Sequence, residues 1–170
     1  MAAPKYLKQA SGSIEEVATA TTGGAPDAEK IPSLDVNGRL TQAMMPVGMG
    51  PEVKIIEASE ALGAGDFVNI WDDSGTLKVR LADASADKPA HGYVLAAVDS
   101  DASATVYCDG INDQLSGMSG GPIMYLSGST PGAPTATPPS TSGYYVQRLG
   151  TRLSATELAF VPDLTVIKLA

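Results

Sequence analysis

Ser119 is the residue of this chain whose setting most invites a chemical reading. It stands in Gly117-Met118-Ser119-Gly120-Gly121-Pro122, where flanking glycines would let a turn present a hydroxyl. A serine nucleophile needs a histidine base that a carboxylate orients. The chain has one histidine, His91, upstream of Ser119, and Asp99, Asp101, Asp109 and Asp113 lie between the two. The chemistry to be tested is therefore acyl transfer by a Ser–His–Asp set.

The run resembles the GDSGGP signature of chymotrypsin-like serine proteases, with Met118 in place of the acid. The rest of that family's pattern is missing. Its histidine, aspartate and serine come in that order, spread over two barrels, whereas positions 91 and 119 are too close for that, and the Ala-Ala-His-Cys context around the base is absent. We read Ser119 as a turn residue and His91 as a loop residue, and expect no enzymatic activity.

Other reactive or ligating groups are sparse. Cys108 is the single cysteine, so neither an intramolecular disulfide nor a cysteine-based zinc site is available, and it reads as a small packing residue in a strand. Asp99-Ser100-Asp101-Ala102-Ser103 begins like a calcium loop but lacks the glycine and the closing glutamate of such loops. No GxxxxGK[ST] phosphate loop occurs. The aromatic residues are not interleaved with basic ones, which is not a base-stacking pattern. No metal and no cofactor are expected.

The elements around these residues are strands. The 170-residue chain carries a formal net charge of −8, which argues against a nucleic-acid partner. It has no apolar run long enough for a membrane helix, and the amino-terminal residues lack the apolar core of a secretory signal. Residues 1–50 are rich in Ala, Ser, Thr, Gly and Pro with scattered apolar anchors, and read as an extended arm that orders against a partner. Residues 51–170 read as an all-β body, a compact barrel or sandwich. Thr76–Leu81 alternates strictly, Asp72-Asp73-Ser74-Gly75 is a hairpin turn, and Asp66–Trp71 supplies the partner strand. Further strands are expected at Val53–Glu57, Gly92–Val98, Ala104–Cys108, Ile123–Ser127, Tyr145–Leu149, Glu157–Val161 and Val166–Leu169. The body repeats itself, approximately over 65–107 and 121–160: Gly92-Tyr93 matches Gly143-Tyr144, and Ser103-Ala104-Thr105 matches Ser154-Ala155-Thr156 at the same separation. In that alignment the Ser119 run takes the place of Glu60–Asp66, another glycine-rich turn before a strand.

One further resemblance spans nearly the whole chain. Asp27-Ala28-Glu29-Lys30-Ile31-Pro32-Ser33-Leu34-Asp35-Val36-Asn37-Gly38-Arg39-Leu40, closing on Met44-Met45-Pro46, is similar to the DAGKI-x-x-LDxxGKLDxxxMP stretch of tailed-bacteriophage head proteins. GDFVNIWDD, KPAHGYVLAAV and TPGAPTATPPSTSGYYVQRLGTRLSATEL in the body also resemble these capsid decoration (cement) proteins and head fibres. Arg39 stands where lysine is usual and Thr41 where aspartate is usual. The resemblance implies a structural virion protein, made in the host cytoplasm and placed on the outer capsid surface as a homotrimer. Its partner would be the major capsid protein, with Ile31, Leu34, Leu40, Met44 and Met45 bridging capsid subunits. Two alternatives stay open. One is a head or tail fibre base, for which the fibre would have to be another protein because this chain ends soon after Leu169. The other is a receptor- or glycan-binding module displayed on the virion, for which Tyr144 and Tyr145 near the proline-rich loop Thr130–Ser140 are the candidates.

Overall fold

A computed structural model describes residues 4–10, 12–20, 29–34, 40, 44, 52–163 and 165–170. The chain divides into two units, Met1–Gly50 and Pro51–Ala170.

The first unit contains an antiparallel hairpin of β1 (Lys5–Ala10) and β2 (Ser13–Ala18), turned at Gly12. The Ala20 amide donates to the Ile31 carbonyl at 2.9 Å and the Ser33 amide to the Ala20 carbonyl at 2.9 Å, tying 29–34 to the end of β2. Lys5 pairs with Glu16 at 2.8 Å and Lys8 with Glu29 at 3.3 Å, exposed contacts that contribute little. The sequence reading took residues 1–50 as an extended arm and did not include the hairpin of β1 and β2. The described residues of β2 leave no side chain buried, so no face of the hairpin had to be written as a polar–apolar alternation.

The second unit is all-β and contains a closed barrel. Its strands are β3 (Val53–Ala58), β4 (Phe67–Asp73), β5 (Thr76–Leu81), β6 (Gly92–Tyr93) and β7 (Ser103–Tyr107), in the order β3-β5-β4-β6-β7. The β4–β5 turn puts Ser74 at φ +57° and Gly75 at φ +94°, the paired left-handed residues of a twist-matched two-residue hairpin. Val79 is fully buried, whereas Leu77, expected on the same inward row, is exposed. Leu77 stands just outside the parallel ladder by which Glu57–Ala58 meets Lys78–Val79 and closes the barrel. Ile56, Ala58, Leu62, Val68, Val79, Val94, Ala104 and Val106 fill the lumen.

A second sheet packs on this barrel. It comprises β8 (Gly110–Asn112), β9 (Ile123–Leu126), β10 (Pro134–Thr135), β12 (Arg148–Arg152) and β13 (Leu158–Phe160), in the order β10-β9-β12-β13-β8. Between β10 and β12 runs β11 (Tyr145–Val146), which pairs with β14 (Ile167–Lys168). The shared core takes Phe67 and Tyr93 from the barrel and Met124, Leu126, Leu149, Leu158 and Phe160 from the sheet. Consecutive barrel residues serve both cores, because side chains alternate along a strand: Phe67 faces the sheet and Val68 the lumen. The Phe160 ring lies 5.4 Å from Phe67 and 5.8 Å from Tyr93, in tilted and edge-on geometries that favour ring pairs.

The two sheets share a strand order. Each runs from the second strand of a hairpin to its first (β5-β4, β10-β9), then through two returning strands (β6-β7, β12-β13), to the strand that precedes the hairpin in sequence (β3, β8). The pairing moves one correspondence away from that read in the sequence. Gly92 lies opposite Val68, and a Cβ on it would meet the Tyr107 carbonyl oxygen at 2.6 Å. The residue in the equivalent position is Gly150, opposite Met124 and against the Ala159 carbonyl oxygen. Gly143-Tyr144 instead forms a turn before β11, with the Tyr144 amide donating to the Thr141 carbonyl. The strand expected over Gly92–Val98 also ends early, at Tyr93; beyond it Val94 turns into the lumen and Val98 makes a single bridge to Leu62.

Candidate functional site

The Ser–His pair does not assemble. His91 extends the ladder beside β4: its amide donates to the Val68 carbonyl at 2.8 Å, and its Nδ1 accepts the Ile70 amide at 3.0 Å. An Nδ1 that accepts is unprotonated, so the ring proton sits on Nε2. A general base for serine needs the reverse tautomer, with Nδ1–H on a carboxylate and Nε2 free to take the hydroxyl proton. Burial pushes the imidazole below its ordinary value. His91 lines a cleft of about 540 Å³ with Cys108, Ile111 and Val161, whereas Ser119 lines a different one of about 400 Å³ with Met118 and Met124. Cys108 is half-buried, and burial, then Glu52 and Asp109, raise its thiol pKa, which disfavours the thiolate.

The Ser119 run is the turn that leads into β9, and Arg152 holds it. The Arg152 guanidinium donates to the Met118 carbonyl at 3.1 Å and the Gly120 carbonyl at 2.7 Å, while its amide donates to the Pro122 carbonyl at 2.8 Å. Sequence reasoning missed Arg152, since nothing local marks a side chain on β12 as the clasp of a distant turn. Asp99–Ala102 is a turn with Asp101 at φ +64°, Ser103 already begins β7, and among the described residues no group of three or more His, Cys, Asp or Glu is placed to hold a metal ion.

Of the residues expected to contact a partner, Ile31 is 53% exposed, Leu34 60% and Leu40 42%; Met44 is half-buried, and Met45 lies outside the described residues. The hairpin adds two side chains outside that expected contact set, Leu7 and Ile14, each 73% exposed. They lie diagonally across β1 and β2 on one face, since Leu7 is opposite Glu16 and Gln9 opposite Ile14. The first unit thus presents large apolar side chains to solvent on both its hairpin and the segment that follows.

The proline-rich loop forms one wall of a cleft of about 320 Å³. Tyr144 lines it; Tyr145, the next residue, instead joins β11, where Lys168 Nζ lies 5.6 Å from its ring centre. Of the two tyrosines read as candidates, the fold brings one to the cleft.

No family model, no curated protein and no solved structure matches this chain.

Proposed function

We propose that this chain is a structural protein of a tailed-bacteriophage virion, a decoration protein that stabilises the capsid shell by binding across subunits of the major capsid protein. The observation that supports this reading is the exposure of Leu7, Ile14, Ile31, Leu34 and Leu40 on the first unit. Full burial of one such side chain is worth about 1.5–3 kcal/mol. A handful of them, reaching over neighbouring subunits, gives a clamp whose weak single contacts add up over many copies. The body is the displayed region, on the outer surface, and the shared strand order of its sheets supports reading it as two copies of one five-stranded unit. A homotrimer fits placement where three capsid subunits meet. The role needs no catalysis, metal or cofactor.

Two measurements test this. Removing residues 1–50 is expected to leave a folded body that no longer sediments with shells; retained binding refutes the clamp. The copy number on purified particles, from densitometry against the major capsid protein, is expected to be a sizeable fraction of one. A ratio of a few hundredths would identify a fibre base or vertex component and refute decoration.

A further inference from the structure

The cleft under the proline-rich loop has a chemistry of its own. Ser127, Thr137, Pro138, Ser140, Thr141 and Tyr144 line it, and its lining holds no carboxylate, ammonium or guanidinium. That is notable in a chain of net charge −8. At about 320 Å³ it falls at the small end of ligand sites, roughly 300–1,000 Å³.

Its walls are fixed before any ligand arrives. On one side Ser127 Oγ accepts the Ser129 and Thr130 amides at 3.2 and 3.1 Å, the Ser127 amide donates to the Ala133 carbonyl at 3.0 Å, and the Gly132 amide donates to the Ala82 carbonyl at 2.7 Å. On the other the Tyr145 amide donates to the Ala84 carbonyl at 2.8 Å and the Leu169 amide to the Tyr144 carbonyl at 2.8 Å. Both walls therefore hang from the chain that follows β5. The Tyr144 ring lies over Gly128 so closely that a Cβ there would come within 2.6 Å of Cδ2. Glycine at 128 is what lets the ring into this position.

The hydroxyls of Thr137, Ser140, Thr141 and Tyr144 make no hydrogen bond among the described residues, while those of Ser127 and Thr135 are engaged in the loop itself. A hydroxyl both donates and accepts, so four free ones match a ligand whose own groups do both. An anion or cation would be drawn to charged partners, which are absent from this lining. A purely apolar ligand would strip water from the hydroxyls and return nothing. A sugar satisfies both halves of the lining, with its C–H face on the Tyr144 ring and prolines and its hydroxyls on theirs.

We propose that this cleft binds a neutral carbohydrate. The site belongs to the body alone, so it stands or falls independently of the clamp.

The test is an NMR titration of the ¹⁵N-labelled full chain with glucose, galactose, N-acetylglucosamine and maltotriose, with inorganic phosphate as the charged probe. At least one sugar is expected to give saturable shifts confined to the amides of 127–129, 137–141 and 144, with a Kd in the millimolar range that suits a single stacking ring. Tyr144→Ala is expected to weaken binding at least about tenfold. Should that variant unfold, Ser140→Ala with Thr141→Val removes two hydroxyls that carry no structural bond, and is expected to weaken binding several-fold with the remaining spectrum unchanged. Absence of saturable shifts with all four sugars overturns the proposal. So do equal shifts with phosphate, or an affinity that the double variant leaves unaltered.

Discussion

Gly150 is the position at which one added methyl should cost this body most. It lies in β12 at φ +148°, a conformation side chains rarely adopt, and a Cβ on it falls against the Ala159 carbonyl oxygen, with the carbonyl carbon at 3.0 Å and Phe160 Cα at 3.3 Å. All three obstacles are backbone of the paired strand β13 and cannot swing aside. Gly150→Ala thus combines a strained conformation, about 1–3 kcal/mol, with overpacking that must push β12 away from β13, about 1–3 kcal/mol. The expected loss of about 2–6 kcal/mol is a large share of the roughly 5–15 kcal/mol that stabilises a domain. The assay is urea unfolding followed by the fluorescence of Trp71, the only tryptophan, on barrel strand β4. With a slope of about 1–3 kcal/mol per molar, the midpoint should fall by at least about 0.7 M. Two controls separate the causes. Gly75→Ala meets open space at φ +94° and should lose only the conformational share, about 1–2 kcal/mol. Gly121→Ala meets open space at an ordinary φ and should stay within about 0.5 kcal/mol of the parent. A Gly150→Ala loss no greater than that of Gly75→Ala would refute the close approach of β12 and β13.

Four further outcomes are expected. Gln147 is buried, with Oε1 accepting the Ala90 amide at 2.7 Å and Nε2 donating to the Ala90 and Asp163 carbonyls at 2.9 and 3.0 Å; Gln147→Leu should cost about 3 kcal/mol in the same urea assay, because those groups lose their partners inside the protein. Arg152→Met should leave the fold intact but speed hydrogen exchange of the amides in 116–122, the turn that its guanidinium holds. The His91 pKa is held below 6.5 in the folded state, so the unfolded chain binds the extra proton first; stability is complete above 6.5 and falls as pH drops below it, and His91→Gln should flatten that region of a Tm-against-pH curve. The Tyr93 phenol, which donates to the Asp109 carbonyl at 3.1 Å, is raised to about 12 by burial first and then by Asp109; stability present below pH 10 is therefore lost as pH rises toward 12, and ultraviolet titration of Tyr93→Phe should lack that late-ionising tyrosine.

What the sequence revealed and what it hid have a common physical cause. Thr76–Leu81 was legible as β5 from its strict apolar–polar alternation, although of the row Leu77, Val79 and Leu81 only Val79 is buried and Leu77 stays exposed. The hairpin of β1 and β2 was not legible, because its described side chains stay in contact with solvent. The match of Gly92-Tyr93 with Gly143-Tyr144 followed residue identity, yet the glycine in the equivalent pairing is Gly150. What Gly92 and Gly150 share is a neighbouring strand's carbonyl pressed against the missing Cβ, and a tertiary approach of that kind leaves no pattern along the chain. The candidate sites divide in the same way. The Ser119 run could be read as a turn from its glycines alone, whereas its clasp by Arg152 could not, since the contact joins residues far apart in sequence. Tyr144 and Tyr145 were equivalent on paper; β11 takes the second and leaves the first over Gly128, whose lack of a side chain is the local signal that an aromatic ring comes to rest there. That signal is specific enough to be tested by itself: Gly128→Ala should displace the Tyr144 ring and weaken sugar binding while β9 and β12, whose pairing does not involve residue 128, keep their amide shifts.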